Sequence, residues 1–287
     1  MSNNRNFKNL LELNLAILFI ATSGPLGRYI DMPVPVIIGF RALLAAVLLF
    51  AFCKWRNISF MIANKDRGVV LLSGVLMGVH WVTYFYALQL SNVAIGMLSL
   101  FTFPVITTIL EPLLLKTSFQ KVQLLLAVLV LIGIYFLVPD FDVQNTNTQA
   151  VGFGVFSAIC YSLRNILMKN KVSNYNGSVL MWYQVVIIGV LSLPLIWIMD
   201  SSGITRQWPA VLALALLTTA VGHTLFLRSF RKFTVTTASI MSCIQPIYGI
   251  ILGIFFLHEI PSFYTIIGGL LILSSVVIES IRSVKEK

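Results

Sequence analysis

Apolar blocks of about 20 residues follow one another along almost the whole chain, and short polar joints separate them. A helix of about that length crosses the hydrocarbon core of a bilayer. Of the 287 residues, 58% are hydrophobic and only 10% are charged, whereas charged residues make up about a quarter of an ordinary soluble domain. The chain is therefore predicted to be an all-α integral membrane protein.

Ten transmembrane helices are predicted, and the joints between them leave no room for a soluble domain. The first block follows Arg5 and Lys8, as in a signal peptide, but it is too long and lacks a convincing cleavage site, so we expect a retained helix. The predicted helices cover residues 10–30, 34–53, 68–88, 92–115, 119–138, 150–170, 178–199, 208–228, 235–257 and 262–281.

Basic residues fall almost entirely on one side of the predicted membrane. The net charge of +10 could suggest a nucleic-acid partner, but the alternation of the cations between joints follows the positive-inside rule instead. It predicts a cytoplasmic-membrane protein with both termini in the cytoplasm and no nucleic-acid partner. Only Arg28 and Arg206 lie on the outer side; the cytoplasmic cations are Arg5, Lys8, Lys54, Arg56, Lys65, Arg67, Lys116, Lys121, Lys169, Lys171, Arg228, Arg231, Lys232, Arg282, Lys285 and Lys287.

The two halves of the chain carry a weak internal repeat. The segment VAIGMLSLFTFPVITTIL begins at Val93 and VTTASIMSCIQPIYGIIL begins at Val235, so that Pro104 pairs with Pro246. The joint before the first copy is uncharged, and the joint before the second is basic. A repeat of five helices must be inverted in the membrane, because five is odd, and its joints then change sides.

We therefore predict two inverted five-helix repeats, residues 1–141 and 142–287. Inverted repeats are typical of transporters, whose substrate site lies near the membrane midplane where the repeats meet.

The segments GFRALLAAVLL, VHWVTYFYALQLSNVAIGMLSLFTFPVITTIL and PIYGIILGIFFLHEIPSFYTIIGGLLIL resemble the EamA family of the drug/metabolite transporter superfamily, over essentially the whole chain. The resemblance implies a proton-linked or facilitative carrier, often an exporter, of small metabolites such as amino acids. The chain departs from the family pattern in two respects. The first helix lacks the frequent Trp-Gly pair and reads ATSGPLGRYI instead. Glu259 follows the second repeat's proline, but Thr117 occupies the matching position in the first repeat, and Glu111 lies earlier.

Arg41 is the single charge in the apolar block PVPVIIGFRALLAAVLLF and is predicted to lie about 10 Å deep. An arginine at depth costs about 2.5 kcal/mol on insertion scales and normally faces a cavity or a partner. Two readings stay open. The planar guanidinium could bind a substrate carboxylate, or it could form a structural ion pair or snorkel. In either case we expect its head to lie inside the bundle.

Other polar and aromatic residues near the midplane are candidates for substrate binding. His80 and His223 could relay protons near neutral pH, or each could hydrogen-bond a neighbouring helix. Pro104 and Pro246 are expected to bend their helices and free backbone carbonyls near the cavity. The candidate substrate-binding residues are Arg41, His80, Trp81, Tyr84, Ser99, Phe103, Tyr161, His223, Gln245 and Tyr248.

Two ion pairs are predicted as gates. Glu111 and Arg164 lie at similar depth near the cytoplasmic side, although Arg164 could instead snorkel. Arg28 and Glu259 both lie near the outer face.

The predicted function is a secondary transporter, an exporter, that moves small metabolites, in particular amino acids or related zwitterions, by alternating access. The lipid bilayer surrounds it, and protons are the predicted coupling ion. A multidrug or organic-cation carrier is the alternative, but it would need a deep acid, and only Glu111 fits, apart from Glu12 at the start of the first helix. A sugar or nucleotide-sugar antiporter also stays open. A lipid-modifying enzyme is a remote alternative, because no HxxxH, DxxD or GxSxG run occurs. The cysteines lack metal-ligand spacing, so neither metal nor cofactor is expected.

Overall fold

The computed structural model describes residues 2–115, 121–138, 142–233, 238 and 241–285. All regular structure in these ranges is helical, and a π-helical run, Leu214–His223, joins α10 to α11. A 3₁₀ turn, Ser242–Ile244, precedes α12. The α-helices are α1 (Ser2–Ala21), α2 (Ser23–Tyr29), α3 (Val34–Trp55), α4 (Asn64–Leu90), α5 (Val93–Leu100), α6 (Phe103–Leu115), α7 (Lys121–Leu137), α8 (Thr146–Lys169), α9 (Gly177–Ile198), α10 (Ile204–Ala213), α11 (Thr224–Ser229), α12 (Gln245–Leu257) and α13 (Phe263–Lys285).

Seven helical runs of the described chain are long and apolar enough to cross a membrane, and three shorter apolar helices accompany them. The prediction of an all-α, multi-pass membrane protein is therefore confirmed, whereas ten passes stay a prediction. The boundary between the predicted repeats, at residue 141, and the start of the second repeat copy, at Val235, lie outside the described residues. The seven runs are Asn9–Tyr29, Val34–Trp55, Asn64–Leu90, Val93–Leu114, Thr146–Lys169, Gly177–Ile198 and Ile204–Ser229.

The two predicted proline bends are helix interruptions. Pro104 is the second residue of α6, which follows a turn after α5, and Pro246 is the second residue of α12, which follows the 3₁₀ turn. A proline at the start of a helix costs no hydrogen bond, because the first N–H groups have no helical acceptor in any case. The predicted bends therefore fall at interruptions of the regular α-helix, where each proline begins a new α-helical segment.

Small residues allow close helix packing. A Cβ atom added to Gly74 would lie 2.7 Å from Ile187, so α4 and α9 meet there without room for a methyl group. A Cβ atom on Gly249 would collide with the Met97 sulfur, at the contact between α12 and α5. The most extensive contacts join α4 to α8, α3 to α9, and α7 to α13, followed by α4 to α9, α5 to α8, and α1 to the π-helical run.

The bundle has two ends, which we name by their basic residues. The Arg28 end carries Arg28, Gln89 and Glu259, where α2, α4 and α12 finish. The Lys171 end carries Asp66 and Lys171, where α4 begins and α8 finishes. Between the two ends lies a core that contains buried polar side chains as well as apolar ones.

Candidate functional site

A closed cavity lies in the middle of the bundle. Its free volume is about 20 Å³, little more than one water molecule needs. Substrate binding therefore requires the bundle to open. Its wall joins α1, α2, α3, α4, α8, the π-helical run and both helix interruptions. The lining residues are Ile20, Ser23, Arg41, His80, Trp81, Tyr84, Leu100, Phe101, Phe103, Tyr161, His223, Ser242 and Gln245.

Arg41 is the cation of the cavity wall. Its side chain is buried, and its Nε and Nη2 atoms donate to Thr219 Oγ1 at 2.8 Å and to Thr218 Oγ1 at 2.9 Å. The guanidinium carbon stacks 3.8 Å from the centre of the Trp81 ring, a favourable cation–π geometry. The predicted position inside the bundle is confirmed. Within the described chain, Arg41 has neutral partners only, so neither snorkelling nor an ion pair accounts for it.

The π-helical run explains how two consecutive threonines reach one guanidinium. In an α-helix, neighbouring residues point about 100° apart, whereas the wider π-helix changes this spacing. The hydroxyls of Thr218 and Thr219 both donate to the Leu214 carbonyl, at 2.6 and 3.1 Å. Their oxygen lone pairs are thus left to accept from Arg41.

Two ring nitrogens of the wall are buried without a hydrogen-bond partner in the described chain. They are Trp81 Nε1 and His223 Nδ1, and the two rings lie 5.6 Å apart. A buried polar atom without a partner costs about 1–3 kcal/mol, so a polar occupant of the cavity would stabilise this arrangement.

His80 is held in one tautomer by Ser157. The serine hydroxyl donates to the His80 carbonyl oxygen at 2.8 Å, and its oxygen lies 2.7 Å from His80 Nδ1. Because the single hydroxyl proton is already used, Nδ1 must be the donor, and Nε2 keeps a lone pair when the ring is neutral. The ring stacks on Tyr161 at 4.4 Å between centres. The expected hydrogen bond to a neighbouring helix is therefore present.

The structure brings eight of the ten predicted binding residues together on the wall. Ser99 and Tyr248 do not line the cavity: Ser99 donates to the Gly96 carbonyl and abuts Gly154, and Tyr248 packs against the main apolar core. Five wall residues were not among the ten predicted ones, and neither were the threonine partners of Arg41. The five are Ile20, Ser23, Leu100, Phe101 and Ser242. Some of these residues carry a hydroxyl group, but no other feature of the sequence identifies them as part of the site.

Glu259 closes the Arg28 end. Its carboxylate accepts from Arg28 Nε and from the Val93 backbone N–H, both at 2.8 Å. Arg28 Nη1 also donates to the Gln89 carbonyl at 3.2 Å. His258, the residue before the glutamate, has φ 55°, a left-handed conformation that ends α12 and turns the chain back. The predicted pairing of Arg28 with Glu259 is confirmed.

The predicted pairing of Glu111 with Arg164 is wrong. Glu111 instead accepts from Lys169 Nζ at 2.5 Å, and Arg164 binds the amide oxygens of Gln184 and Asn165. Lys169 follows Arg164 by five residues on α8, and residues five apart point about 140° away from each other on an α-helix. The two cations therefore face different neighbours.

Further contacts fasten the Lys171 end. Lys171 Nζ lies 2.6 Å from Asp66 Oδ1, and the Tyr175 hydroxyl donates to Asp66 Oδ2 at 2.7 Å. This hydrogen bond raises the pKa of Tyr175 above its ordinary value. Arg231 donates to the carbonyls of Val172 and Tyr175, both at 2.7 Å. Arg228 and Glu12 form a more exposed pair at 3.3 Å.

Metal chemistry finds no support in the described ranges. No group of three or more His, Cys, Asp or Glu side chains there could hold a metal ion.

Comparison with known proteins identifies relatives along the whole chain. The sequence model of the EamA-like transporter family matches residues 10–138 and 148–281. The pseudopaline exporter CntI of Pseudomonas aeruginosa is 21% identical over 243 residues, 84% of each chain. The threonine/homoserine exporter RhtA of Escherichia coli K12 is 23% identical over 230 residues, 78% of this chain and 74% of the relative.

A human relative and a crystal structure extend the comparison. Human solute carrier family 35 member G1 is 24% identical, over 93% of this chain and 77% of the relative. A chain of known crystal structure superposes with a TM-score of 0.72 at 16% identity, covering 98% of this chain and 99% of the other, which shows a shared fold. The predicted resemblance is confirmed, as is the prediction of a transporter and not an enzyme.

Proposed function

The chain belongs to the EamA-like transporter family, and we propose that it is a secondary transporter that exports amino acids or related zwitterions across the cytoplasmic membrane. One observation carries the choice of substrate. The central cavity holds a buried guanidinium, Arg41, and its described wall includes no carboxylate. An occupant with a negative group would supply the missing counter-charge.

The wall also offers partners for the other groups of a zwitterion. The amide oxygen of Gln245 is an acceptor suited to an ammonium group. Leu100, Phe101 and Phe103 form an apolar part of the wall that suits an uncharged side chain. Trp81 Nε1 would donate to a carboxylate beside Arg41.

The organic-cation alternative draws less support. Such a carrier needs an acid on the cavity wall, and Glu111 is tied to Lys169 near the Lys171 end. A neutral sugar would leave Arg41 without an anion. A nucleotide-sugar would bring several negative charges to a single cation. Two of the relatives are named as exporters of small molecules, which favours export as the direction.

Alternating access is the mechanism that we propose, with the contacts at the two ends as gates. Arg28 with Glu259 would close the outer side. Lys171 with Asp66 and Lys169 with Glu111 would close the cytoplasmic side, in keeping with the positive-inside rule. The closed cavity then corresponds to an occluded state, and each opening breaks the contacts of one end.

Two inverted repeats fit this mechanism. The helices α4 and α8 contain the third and sixth predicted spans, and α1 and the π-helical run contain the first and the eighth. Shifting each span by five positions in the order of ten converts the contact of α4 with α8 into the contact of the π-helical run with α1, and both contacts are present. The family model also matches two consecutive stretches of similar length. Both observations support a pseudo-two-fold arrangement, in which rocking of one half exposes the cavity to alternate sides.

Protons are the coupling ion that we propose, with His80 and His223 as the responding groups. Both histidines line the cavity, where a proton could be taken up and released as the substrate binds and leaves. An imposed proton gradient should drive uptake into vesicles several-fold above equilibrium. Equal uptake with and without the gradient would contradict proton coupling.

Counterflow in proteoliposomes tests the substrate class. Vesicles loaded with unlabelled L-threonine, L-phenylalanine, a sugar or an organic cation would take up traces of the labelled compound. We expect exchange of the amino acids, reduced at least about tenfold in Arg41→Gln, because a charge-assisted hydrogen bond is lost. Arg41→Lys keeps the charge without the fork and should retain part of the exchange.

A paired control separates the two substrate classes. Glu111→Gln removes the acid that an organic-cation carrier would need and one contact of the Lys171 end. Amino-acid exchange should therefore change far less than in Arg41→Gln, because Asp66 with Lys171 still closes that end. Exchange of the cation alone, impaired by Glu111→Gln and unaffected by Arg41→Gln, would overturn the proposed substrate class.

A further inference from the structure

A second buried cation lies outside the cavity wall. Arg164 on α8 is fully buried, and its Nε and Nη2 both donate to Gln184 Oε1, at 3.0 and 2.7 Å. Its Nη1 donates to Asn165 Oδ1 at 2.9 Å. All these acceptors are uncharged, and Arg164 forms no ion pair with the described part of the chain. Its charge is therefore solvated only by neutral groups within the described chain, the two amide oxygens and the Met181 sulfur, which lies 3.8 Å from Nη2.

Two more donors in this cluster are unused. Asn165 Nδ2 and Gln184 Nε2 are buried without a hydrogen-bond partner, and both side chains are fully buried. Their amide oxygens are turned toward Arg164, so their NH₂ groups are the free ends. One anion placed among these three side chains would neutralise the guanidinium and accept from both amides.

The cluster lies beside the cavity, toward the Lys171 end. Tyr161 lines the cavity and precedes Arg164 by three residues, less than one helical turn. Lys169 follows Arg164 by five residues, or about 7.5 Å along α8, and belongs to the Lys171 end. A molecule that moves between the cavity and that end along α8 passes Arg164.

We propose that Arg164, Asn165 and Gln184 form a second anion-binding subsite, which receives the carboxylate of the transported molecule between the Lys171 end and the cavity. The inference rests on the proposed function, since it assigns the subsite to the same substrate. Such a subsite would lower the cost of moving a carboxylate into the bundle. A carboxylate that enters a dry bundle must exchange water for other donors at each stage, and a second guanidinium supplies them before Arg41 is reached.

Thermal unfolding in detergent tests the subsite without transport. Sodium acetate is titrated against sodium gluconate at constant ionic strength in an Arg41→Gln protein, which lacks the cavity cation. Gluconate supplies the same charge on a six-carbon polyol chain that is too bulky for this fully buried cluster. We expect acetate to raise the unfolding temperature of this protein. Adding Arg164→Gln should shift the half-maximal acetate concentration at least about tenfold upward, because the charged donor is gone. An unchanged acetate dependence would overturn the subsite.

Gln184→Glu keeps the test decisive if Arg164→Gln fails to fold. In the Arg41→Gln background it places a carboxylate of nearly the same shape against Arg164, so the subsite carries its own anion. We expect a higher unfolding temperature in gluconate and no further response to acetate. A full acetate response, or a lower unfolding temperature in gluconate, would contradict the proposal. Gln149→Glu, at an exposed position on α8, controls for the added charge.

The two proposals fail in different ways. An Arg164-dependent acetate response without any amino-acid exchange would support the subsite and refute the proposed substrate. The opposite result would be amino-acid exchange that depends on Arg41, together with an acetate response that is unchanged by Arg164→Gln. It would refute the subsite and leave the proposed substrate in place.

Discussion

The two ends of the bundle are closed by different numbers of side chains. At the Arg28 end, one carboxylate, Glu259, receives both the Arg28 guanidinium and the backbone N–H of Val93. At the Lys171 end, the closing contacts are shared between separate carboxylates and cations, among them Asp66 with Lys171 and Glu111 with Lys169. At the Arg28 end a single carboxylate is therefore the centre of the charged contacts, beside the neutral hydrogen bonds of Gln89 to the Ile30 and Met32 carbonyls. At the Lys171 end the charged contacts are divided among several acids.

This difference between the closing contacts of the two ends predicts which substitutions should alter access to the cavity. Loss of the central residue at the Arg28 end removes several contacts at once, whereas loss of one residue at the Lys171 end leaves the others in place. We expect the Arg28 end to respond strongly to one change and the Lys171 end to respond weakly to each of several.

One reporter serves all four comparisons below. Ser23 lines the cavity and is buried, so a maleimide reaches Ser23→Cys only when an end opens. The native thiols Cys53, Cys160 and Cys243 are buried and would be replaced by alanine.

Glu259→Gln should have the largest effect. The amide can accept from one partner but carries no charge, and a charge-assisted contact of this kind contributes about 1.5–3 kcal/mol. Maleimide labelling of Ser23→Cys should therefore become at least about tenfold faster. Labelling at the original rate would show that Glu259 does not limit opening and would remove the basis of the comparison.

Asp66→Asn should have a smaller effect, about threefold faster labelling, the scale of one partly exposed ion pair. Lys169 with Glu111 and the carbonyl contacts of Arg231 remain to hold the Lys171 end. Combining Asp66→Asn with Glu111→Gln should increase the rate further, because the two contacts act separately. An effect of Asp66→Asn equal to that of Glu259→Gln would contradict the distributed arrangement.

Tyr175→Phe should have less effect again, about twofold at most, since it removes one hydroxyl and leaves the Lys171–Asp66 pair in place. The high pKa of Tyr175 has the same origin as this contact, the hydrogen bond to Asp66. A spectroscopic titration should therefore show the tyrosine pKa falling back toward its ordinary value in Asp66→Asn. A pKa that does not move would place the cause elsewhere.

Glu12→Gln should have no measurable effect on labelling. Its partner Arg228 is half exposed, and exposed ion pairs contribute about 0–1 kcal/mol. This variant is the matched control for the other three, because it also removes one acid near an end. Faster labelling in Glu12→Gln would mean that the loss of any acid loosens the bundle.

Much of the fold could be predicted because hydropathy alone separates the membrane-crossing segments. The depth of Arg41, His80 and His223 followed from their positions within these blocks. Contacts between side chains were harder. The pairing of Glu111 with Lys169 depends on the face that each helix presents, and depth does not contain that information.

Local departures from the α-helix account for the other misses. Ser99 was expected on the cavity wall by its distance from Pro104, but the interruption between α5 and α6 changes the direction in which α5 residues point. Likewise, a π-helical run has no sequence signature that would have aligned Thr218 and Thr219 on Arg41.

The contact of Met97 with two glycines has a chemical consequence. The sulfur lies where a Cβ atom of Gly24 would come within 2.8 Å, and a Cβ atom of Gly249 would come closer still. Methionine sulfoxide adds one oxygen atom to that sulfur and makes it polar. The closed bundle has no space for this atom between α2, α5 and α12. An oxidant that reaches Met97 while the bundle is open would therefore keep it from closing, and methionine sulfoxide reductase would restore transport.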